Sequence, residues 1–473
     1  MIQFYKLTGW LVGLLLASQV SAQQSFTLDQ CIDYALTNSV NAQNALLDEQ
    51  IAAAKVKETI GLGLPQISAD ASIVHNPKLA RFFTTYTGAG GIVGDLSAVP
   101  GIQVGDVIAA RNFFQLQSSG GASATVNQLL FNGSYLVGLQ ASSTYKELAV
   151  RTNNQTKEQI IQQVMKAYYG VLINKERIGL FSNNIARVDS LLSNTKALFE
   201  NGFAESIDVD RIQVTLNNLK TEQNKFLNLN ELGIELLKFQ MNYPMDQALE
   251  VVGNINEVQV DTNLDQYIDG WDYKIRTDYQ VLETNRKLQE LNVKNQYAAF
   301  MPSLNAFATF GYITQSPRIG GLFKTNTTIQ DEGGLGPDKW YNYSQLGVSL
   351  SVPIFSGFQR HYKLQQEKIT LQKVNNGFRS LKNGIDLEIK QSSLMFQNAI
   401  ETLSTQRENM DLASKVARVT KIKYEQGVGS NIEVIDAENS LRQAQTNFYG
   451  AMFDAMIAKV DLDKAYGKLL PTK

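Results

Sequence analysis

The chain has 473 residues, with 43 Lys and Arg set against 45 Asp and Glu, so it offers neither the basic surface of a nucleic-acid binder nor an acidic tail. A single cysteine, Cys31, excludes an internal disulfide and a cysteine-based zinc site, and two histidines, His75 and His361, leave metal and general-base chemistry poorly supplied. No catalytic residue, metal site or cofactor is expected.

Residues 1–22 read as a secretory signal. Lys6 supplies the positive end, Leu11 to Ala17 a short apolar run, and Val20-Ser21-Ala22 a small-residue cleavage site. The run is shorter than the ~20 residues of a spanning helix. No later segment is apolar for that length, so a mature chain that crosses a membrane must do so as a closed β-barrel. Past the cleavage point, Cys31 reads as a small apolar residue on an amphipathic helix over about 27–60.

Residues 65–75 then alternate, with Gln66, Ser68, Asp70 and Ser72 against Ile67, Ala69, Ala71 and Ile73. A second alternating run, 119–131, follows a loop holding Gly88-Ala89-Gly90-Gly91. From Gly133 to Gly202 no proline interrupts the chain, which predicts one helix on the order of 100 Å long. A returning helix over about 207–242 carries a loose heptad seam of Val209, Ile212, Leu216, Leu219, Phe226, Gly233 and Leu237, broken by Gln223 and Asn230. These elements form a first repeat, 23–245. Residues 246–275, with Gly253 and Gly270, read as a connecting segment.

The order then recurs over 276–473, offset by about 225 residues at the later marks. A helix over about 276–299 leads into strands 302–314 and 343–355, which bracket the loop Gly333-Gly334-Leu335-Gly336-Pro337. A second proline-free stretch runs from Gly357 to Gly427. The helix returning over about 431–468 has the clearest pattern: Val434, Ala437, Leu441, Ala444, Phe448, Ala451, Ala455, Ala458, Leu462 and Ala465 recur in alternating steps of three and four. That period implies left-handed coiling, and alanine at every second seam position allows close helix approach. Four strands of about ten residues suit an outer-membrane barrel, and equally a half-buried soluble sheet; a soluble coiled coil would carry the same seam.

The order of these pieces resembles the TolC family of outer-membrane efflux and secretion channels over essentially the whole mature chain. The resemblance rests on Pro65 and Pro302 before strands, on Phe131-Asn132-Gly133 and Phe355-Ser356-Gly357 after them, and on the tip run Tyr424-Glu425-Gln426-Gly427 followed by Ile432-Glu433-Val434-Ile435-Asp436-Ala437-Glu438. It implies a mainly α fold with transmembrane β: a long coiled-coil helical barrel, with four strands per chain entering a shared barrel of about twelve strands. Four strands cannot enclose a channel, so several copies are required; the number three comes from the resemblance. The implied protein is a homotrimeric duct in the outer membrane of a Gram-negative cell, its helices in the periplasm. It passively conducts substrates from an inner-membrane pump of the RND or ABC type, through a periplasmic adaptor, to the exterior. Outer-membrane lipid is the other partner, and nucleic acid is not one.

The resemblance also places a periplasmic gate on the first turns of the returning helices, at Glu433 and Asp436 in the second half. Asp208 and Arg211 are the matching positions in the first. Arg211 departs from the acid pattern and is expected to link neighbouring helices through a carboxylate. The same carboxylates also suit helix N-termini, with Ser430 or Asn431 as cap. Gly202, Gly427 and Gly429 mark the hairpin tips and the adaptor contact. Gln66, Ser68, Asp70, Gln345, Ser349 and Ser351 are expected to face the barrel lumen. Phe131, Tyr312, Tyr343 and Phe355 suit an aromatic girdle or packing against helices. The competing reading is a periplasmic coiled-coil adaptor or scaffold, which explains the seam but not two separated strand pairs.

Overall fold

A computed structural model describes residues 24–112, 114–255, 265–323 and 340–470. The signal segment 1–22 and the loop 333–337 lie outside the described residues, as does part of the connecting segment. In chain order the elements are β1 (Gln24–Phe26), α1 (Leu28–Asn38), α2 (Val40–Gly61), β2 (Gln66–His75), β3 (Phe82–Thr85), β4 (Val107–Ala110), β5 (Ser118–Asn132), α3 (Gly133–Glu200) and α4 (Ser206–Met241). After them come β6 (Leu249–Val251), the single turn α5 (Asp265–Ile268), α6 (Thr277–Ala298), β7 (Ser303–Ser316), β8 (Tyr341–Ser351), α7 (Gln359–Glu425) and α8 (Asn431–Ala465).

The chain divides into two compact units. One comprises Ala54–Ser143 and Glu290–Lys368; the other comprises Met1–Ala53, Thr144–Gln289 and Ile369–Lys473.

The first unit holds a four-stranded antiparallel sheet in the order β2-β5-β7-β8. β2 pairs with β5 and β7 with β8, and β5 also pairs with β7 from Ser118↔Ser316 to Asn132↔Ser303. Two separate strand pairs were expected; the β5–β7 ladder makes them one sheet. Opposed residues share a face, so the register sorts the side chains. Ser68, Thr125, Thr309 and Gln345 fall in one row and Ala69, Ala124, Phe310 and Ser344 in the next. One face is mainly polar, and the hydroxyls of Thr125 and Thr309 meet on it at 3.0 Å. The other collects Ile67, Ala69, Ala71, Val126, Ala308, Leu346, Val348 and Leu350, with Leu346 85% exposed. β8 stops at Ser351, short of the expected 355, because Pro353 cannot donate to a ladder. No helix among the described residues is long and apolar enough to cross a membrane.

The second unit is helical. The helix expected over about 27–60 is two helices, because Ser39 adopts an extended conformation (φ −63°, ψ 140°) between them. Its backbone N–H closes α1 on Ala35 O at 2.9 Å, and its hydroxyl accepts from the Ala42 N–H at 3.2 Å. One serine thus ends one helix and starts the next. Thr27 and Gln30 form a reciprocal capping box at the start of α1.

The seam of α8 is buried at Val434, Ala437, Leu441, Ala444, Phe448, Ala451, Ala455, Leu462 and Ala465. On α4, Ile212, Leu216, Leu219, Phe226 and Leu237 are buried. One apolar cluster joins Phe181, Leu191, Ile212, Leu216, Phe226 and Val434, with Phe181 stacked on Phe226 at 5.3 Å between ring centroids. A second joins Cys31, Ala35, Val164, Leu237, Met241 and Val460. Each large side chain so buried contributes roughly 1.5–3 kcal/mol, against about 0–1 kcal/mol for an exposed ion pair such as Lys55–Glu58. The seams therefore dominate the stability of this unit. Burial pushes the Cys31 thiol up to about 12, which leaves it an inert packing group.

The connecting segment is tied to the helices at its described residues. β6 pairs in parallel with β1. The Tyr267 hydroxyl donates to Asp463 at 2.5 Å, and the Trp271 indole N–H donates to Tyr466 O at 3.3 Å.

Candidate functional site

Each long helix ends in the same reversal. Gly427 has φ +78°; its N–H donates to Tyr424 O at 2.9 Å, and the next N–H, from Val428, reaches back to Lys423 O at 3.0 Å. Gly202 has φ +80°, and the pattern repeats with Gly202 donating to Phe199 O and Phe203 to Leu198 O. These paired bonds are a Schellman closure, which requires a left-handed residue that glycine alone adopts without strain. Gly429 has a different reason. A Cβ there would stand 3.0 Å from the Tyr424 nitrogen, so a side chain would press on the helix end.

The returning helices begin side by side. The Asn431 amide donates to Asp208 O at 3.3 Å, linking the first turn of α8 to that of α4. Ser430 is the cap of α8, its hydroxyl accepting from the Glu433 N–H at 3.3 Å. The Glu433 and Asp436 side chains are exposed, while Asp208 is half-buried. Arg211 and Asp436 line one groove of about 530 Å³ with Ile207, Val214, Ile432 and Ile435. Four of the sequence-derived gate positions thus lie on two adjacent first turns. Within the chain Arg211 pairs with Asp208 at 3.7 Å, one turn back on its own helix, because the i, i+3 spacing brings the two together.

A larger cavity of about 960 Å³ runs between the hairpin ends, lined by Asn194, Asn201, Asp208, Tyr424, Gly427 and Ser430 among others. Deeper along α3 and α8, Arg187 pairs with Glu438 at 3.2 Å and also donates to Asn184, whose amide donates to Gln445 at 3.3 Å. The hydroxyls of Thr195 and Tyr424 meet at 3.3 Å. Sequence reasoning passed over these cross-helix polar links, since nothing local marks their partners. It also passed over the apolar tips: Phe203 is 81% exposed and Val428 75%. Their position one residue after each tip glycine is the signal that would have found them.

In the sheet, Gln66, Ser68, Asp70, Gln345, Ser349 and Ser351 share the polar face, through the register Ser68↔Thr125↔Thr309↔Gln345 and Asn305↔Ser349. The Gln66 amide turns back to Gly61 O and Leu64 O, both at 2.9 Å, and so caps the end of α2. Phe355 is 75% exposed just beyond the last strand.

The sequence profile of the outer membrane efflux protein family matches residues 276–468, which span β7, β8, α7, the second tip and the seam of α8. The second half of the chain is thus similar to the outer membrane efflux proteins. The probable efflux pump outer membrane protein TtgC of Pseudomonas putida is 22% identical over 93% of this chain and 82% of its own length. The outer membrane protein TolC of Escherichia coli is 20% identical over 98% of this chain and 87% of its own. The crystal structure of the outer membrane protein VceC from Vibrio cholerae superposes with a TM-score of 0.68 over 93% of this chain and 96% of that one, at 14% identity, so the fold is shared. A member of the outer membrane efflux protein family is a channel of the outer membrane and not an enzyme.

Proposed function

We propose that this outer-membrane efflux channel works as a homotrimer, its sheets closing into one barrel and its helices into a tunnel that receives cargo from a periplasmic adaptor and an inner-membrane pump. The observation that carries the proposal is the sheet. It has one polar and one apolar face, and its order leaves β2 and β8 as open edges. Unpaired backbone is intolerable in lipid, and four strands enclose no lumen. Pairing β2 of each copy with β8 of the next satisfies every edge, places Gln66, Ser68, Asp70, Gln345, Ser349 and Ser351 on the inside, and turns the apolar face to lipid.

In the same assembly the first turns of α4 and α8 meet around the axis. Asp208 and Glu433, which occupy matching positions, supply six carboxylates at one level, a charged ring of the cation-selecting type. At the next level Arg211 faces Asp436 and the charges offset. The exposed tips at Phe203 and Val428, beside Gly202 and Gly427, offer the adaptor an apolar contact.

The test is the mass and planar-bilayer conductance of the protein purified from detergent-solubilised outer membrane. A mass of three chains with conductance altered by Glu433→Ala or Asp436→Ala supports the duct and its gate. A trimer whose conductance ignores both substitutions retains the duct and rejects the gate residues. A monomer released without detergent and lacking conductance overturns the proposal in favour of a coiled-coil scaffold.

A further inference from the structure

The segment between β2 and β5 is a small folded body. β3 and β4 form a ribbon with register Phe82↔Ala110 to Thr85↔Val107. Beyond it the chain closes on Tyr86, which is 3% exposed; its hydroxyl donates to Asp95 at 3.2 Å and accepts from the Leu96 N–H at 2.9 Å. Asp95 also accepts from the Ser97 N–H, and Asp106 from the Gln103 N–H at 2.7 Å. Both carboxylates of the segment are thus engaged with its own loop.

The ribbon has an unusual outer face. Phe83 is 75% exposed and Val107 74%, on the same side by the strand alternation. Arg81 and Arg111 flank the terminal Phe82–Ala110 pair at the same end of the ribbon, and both are exposed, as is Lys78. Arg81 donates to Ala109 O at 3.1 Å, and no carboxylate of the described residues pairs with Arg81, Arg111 or Lys78. Like charges gathered at one end of a ribbon repel, and an anion between them relieves the repulsion. The Asn76 N–H donates to Gln117 O at 2.7 Å, so the ribbon is tethered directly beyond the end of β2, the open edge strand.

We propose that this ribbon docks on phosphorylated lipid headgroups at the membrane surface, Arg81 and Arg111 holding the phosphate while Phe83 and Val107 rest on the adjoining acyl chains. The proposal rests on the barrel reading above: with the helices in the periplasm and α2 leading into the start of β2, the far end of β2 falls at the outer lipid boundary. Charge complementarity selects the occupant: cations beside apolar residues match an anionic lipid surface, whereas a second copy of the same face would bring arginine against arginine.

The test uses the full chain in phosphatidylcholine nanodiscs, with Phe83→Cys carrying an environment-sensitive fluorophore. Cys31, 0% exposed, does not compete for the label. The discs contain no lipid A, bis-phosphorylated lipid A, or lipid A stripped of its phosphates. The expected result is a blue shift with phosphorylated lipid A alone. The lipid A needed for half the shift should rise about fivefold for each arginine replaced by glutamine, and lysine at both positions should preserve the response. Equal emission in all three discs overturns the proposal. So does a shift evoked by inorganic phosphate in plain discs, which would mark a free-anion site, or disulfide-linked dimers of the unlabelled Phe83→Cys chain, which would mark a second copy. Conductance of the same samples separates the two readings: a conducting protein without the shift sinks the lipid site alone, and a non-conducting one sinks the duct.

Discussion

At the residue scale, Gly427 separates conformational need from packing need. Nothing lies within 4 Å of a Cβ built there, so the cost of Gly427→Ala is backbone strain alone. It should destabilise the tip by about 1–2 kcal/mol, and Gly427→Asn should cost less because asparagine tolerates the left-handed region. Thermal melts of the two variants against the parent check the order; equal losses would refute the strain argument. Glu158 is the opposite case, a buried carboxylate at 5% exposure whose Oε2 accepts from the Thr277 hydroxyl at 2.5 Å while Oε1 has no hydrogen-bond partner. Burial raises its pKa, and the Thr277 hydrogen bond and the Arg276 charge only partly oppose this. The folded state therefore holds the proton more tightly than the unfolded chain. The contribution to stability is full below the ordinary value near 4.5 and is lost as pH rises through the folded-state value. Glu158→Gln should flatten that decline, and melts taken from acid to neutral pH would show the two curves diverging upward from the ordinary carboxylate range. Parallel curves would remove Glu158 as the cause.

At the scale of elements, the α8 seam and the β5–β7 ladder make different demands. Ala455 is fully buried in the seam, and Ala455→Leu adds volume where helices already touch; the expected loss is about 1–3 kcal/mol. Leu462→Met at another buried seam position conserves volume and should cost less than about 1.5 kcal/mol, so a chemical-denaturation series with both substitutions tests close packing directly. Gly311 lies in β7 with Ala122 O only 2.8 Å from where a Cβ would stand. Gly311→Val should force β5 and β7 apart, lowering the yield of folded protein in the outer membrane while leaving the helical circular-dichroism signal in place. Arg276 is 6% exposed and joins elements distant in sequence. It donates to Ala465 O at 2.9 Å at the end of α8 and pairs with Asp278 and Glu388, each at 2.8 Å. The chain around it has no pattern that announces any of those partners.

At the scale of the whole molecule, an isolated chain leaves much apolar surface bare. Leu232 on α4 is 65% exposed, and Leu387 and Leu412 on α7 are 66% and 62% exposed. Surfaces of this kind on the helices, together with the open β2 and β8 edges, fit the cylinder of copies proposed above. Diluting the purified protein in mild detergent should leave the oligomer intact, because the contacts that hold it also complete each chain's fold. Dissociation into folded single chains, measured by mass, would argue that the bare surfaces serve another partner.

The sequence alone was enough to read the long helices and the four strands of the main sheet in their order, since each rests on a local rule; the short strands β1, β3, β4 and β6 carry no such mark. Alternation marks strands, a seam of threes and fours marks a coiled helix, and glycines at 202 and 427 mark reversals that only a left-handed residue closes. The family resemblance rested on the same local marks. Local rules also misled where a single side chain intervened: Ser39 divides a helix that periodicity would run through, and Pro353 ends β8 early. The sequence also suggested the β2–β5 and β7–β8 pairs, but tertiary structure alone decided that the two pairs join. β5 and β7 are joined by hydrogen bonds between residues as far apart as Ser118 and Ser316, and backbone groups carry no label that names such a partner. The burial of Arg276 among three elements and the meeting of Arg81 and Arg111 at one end of the β3–β4 ribbon have the same origin: each depends on distances that exist only once remote parts of the chain are brought together.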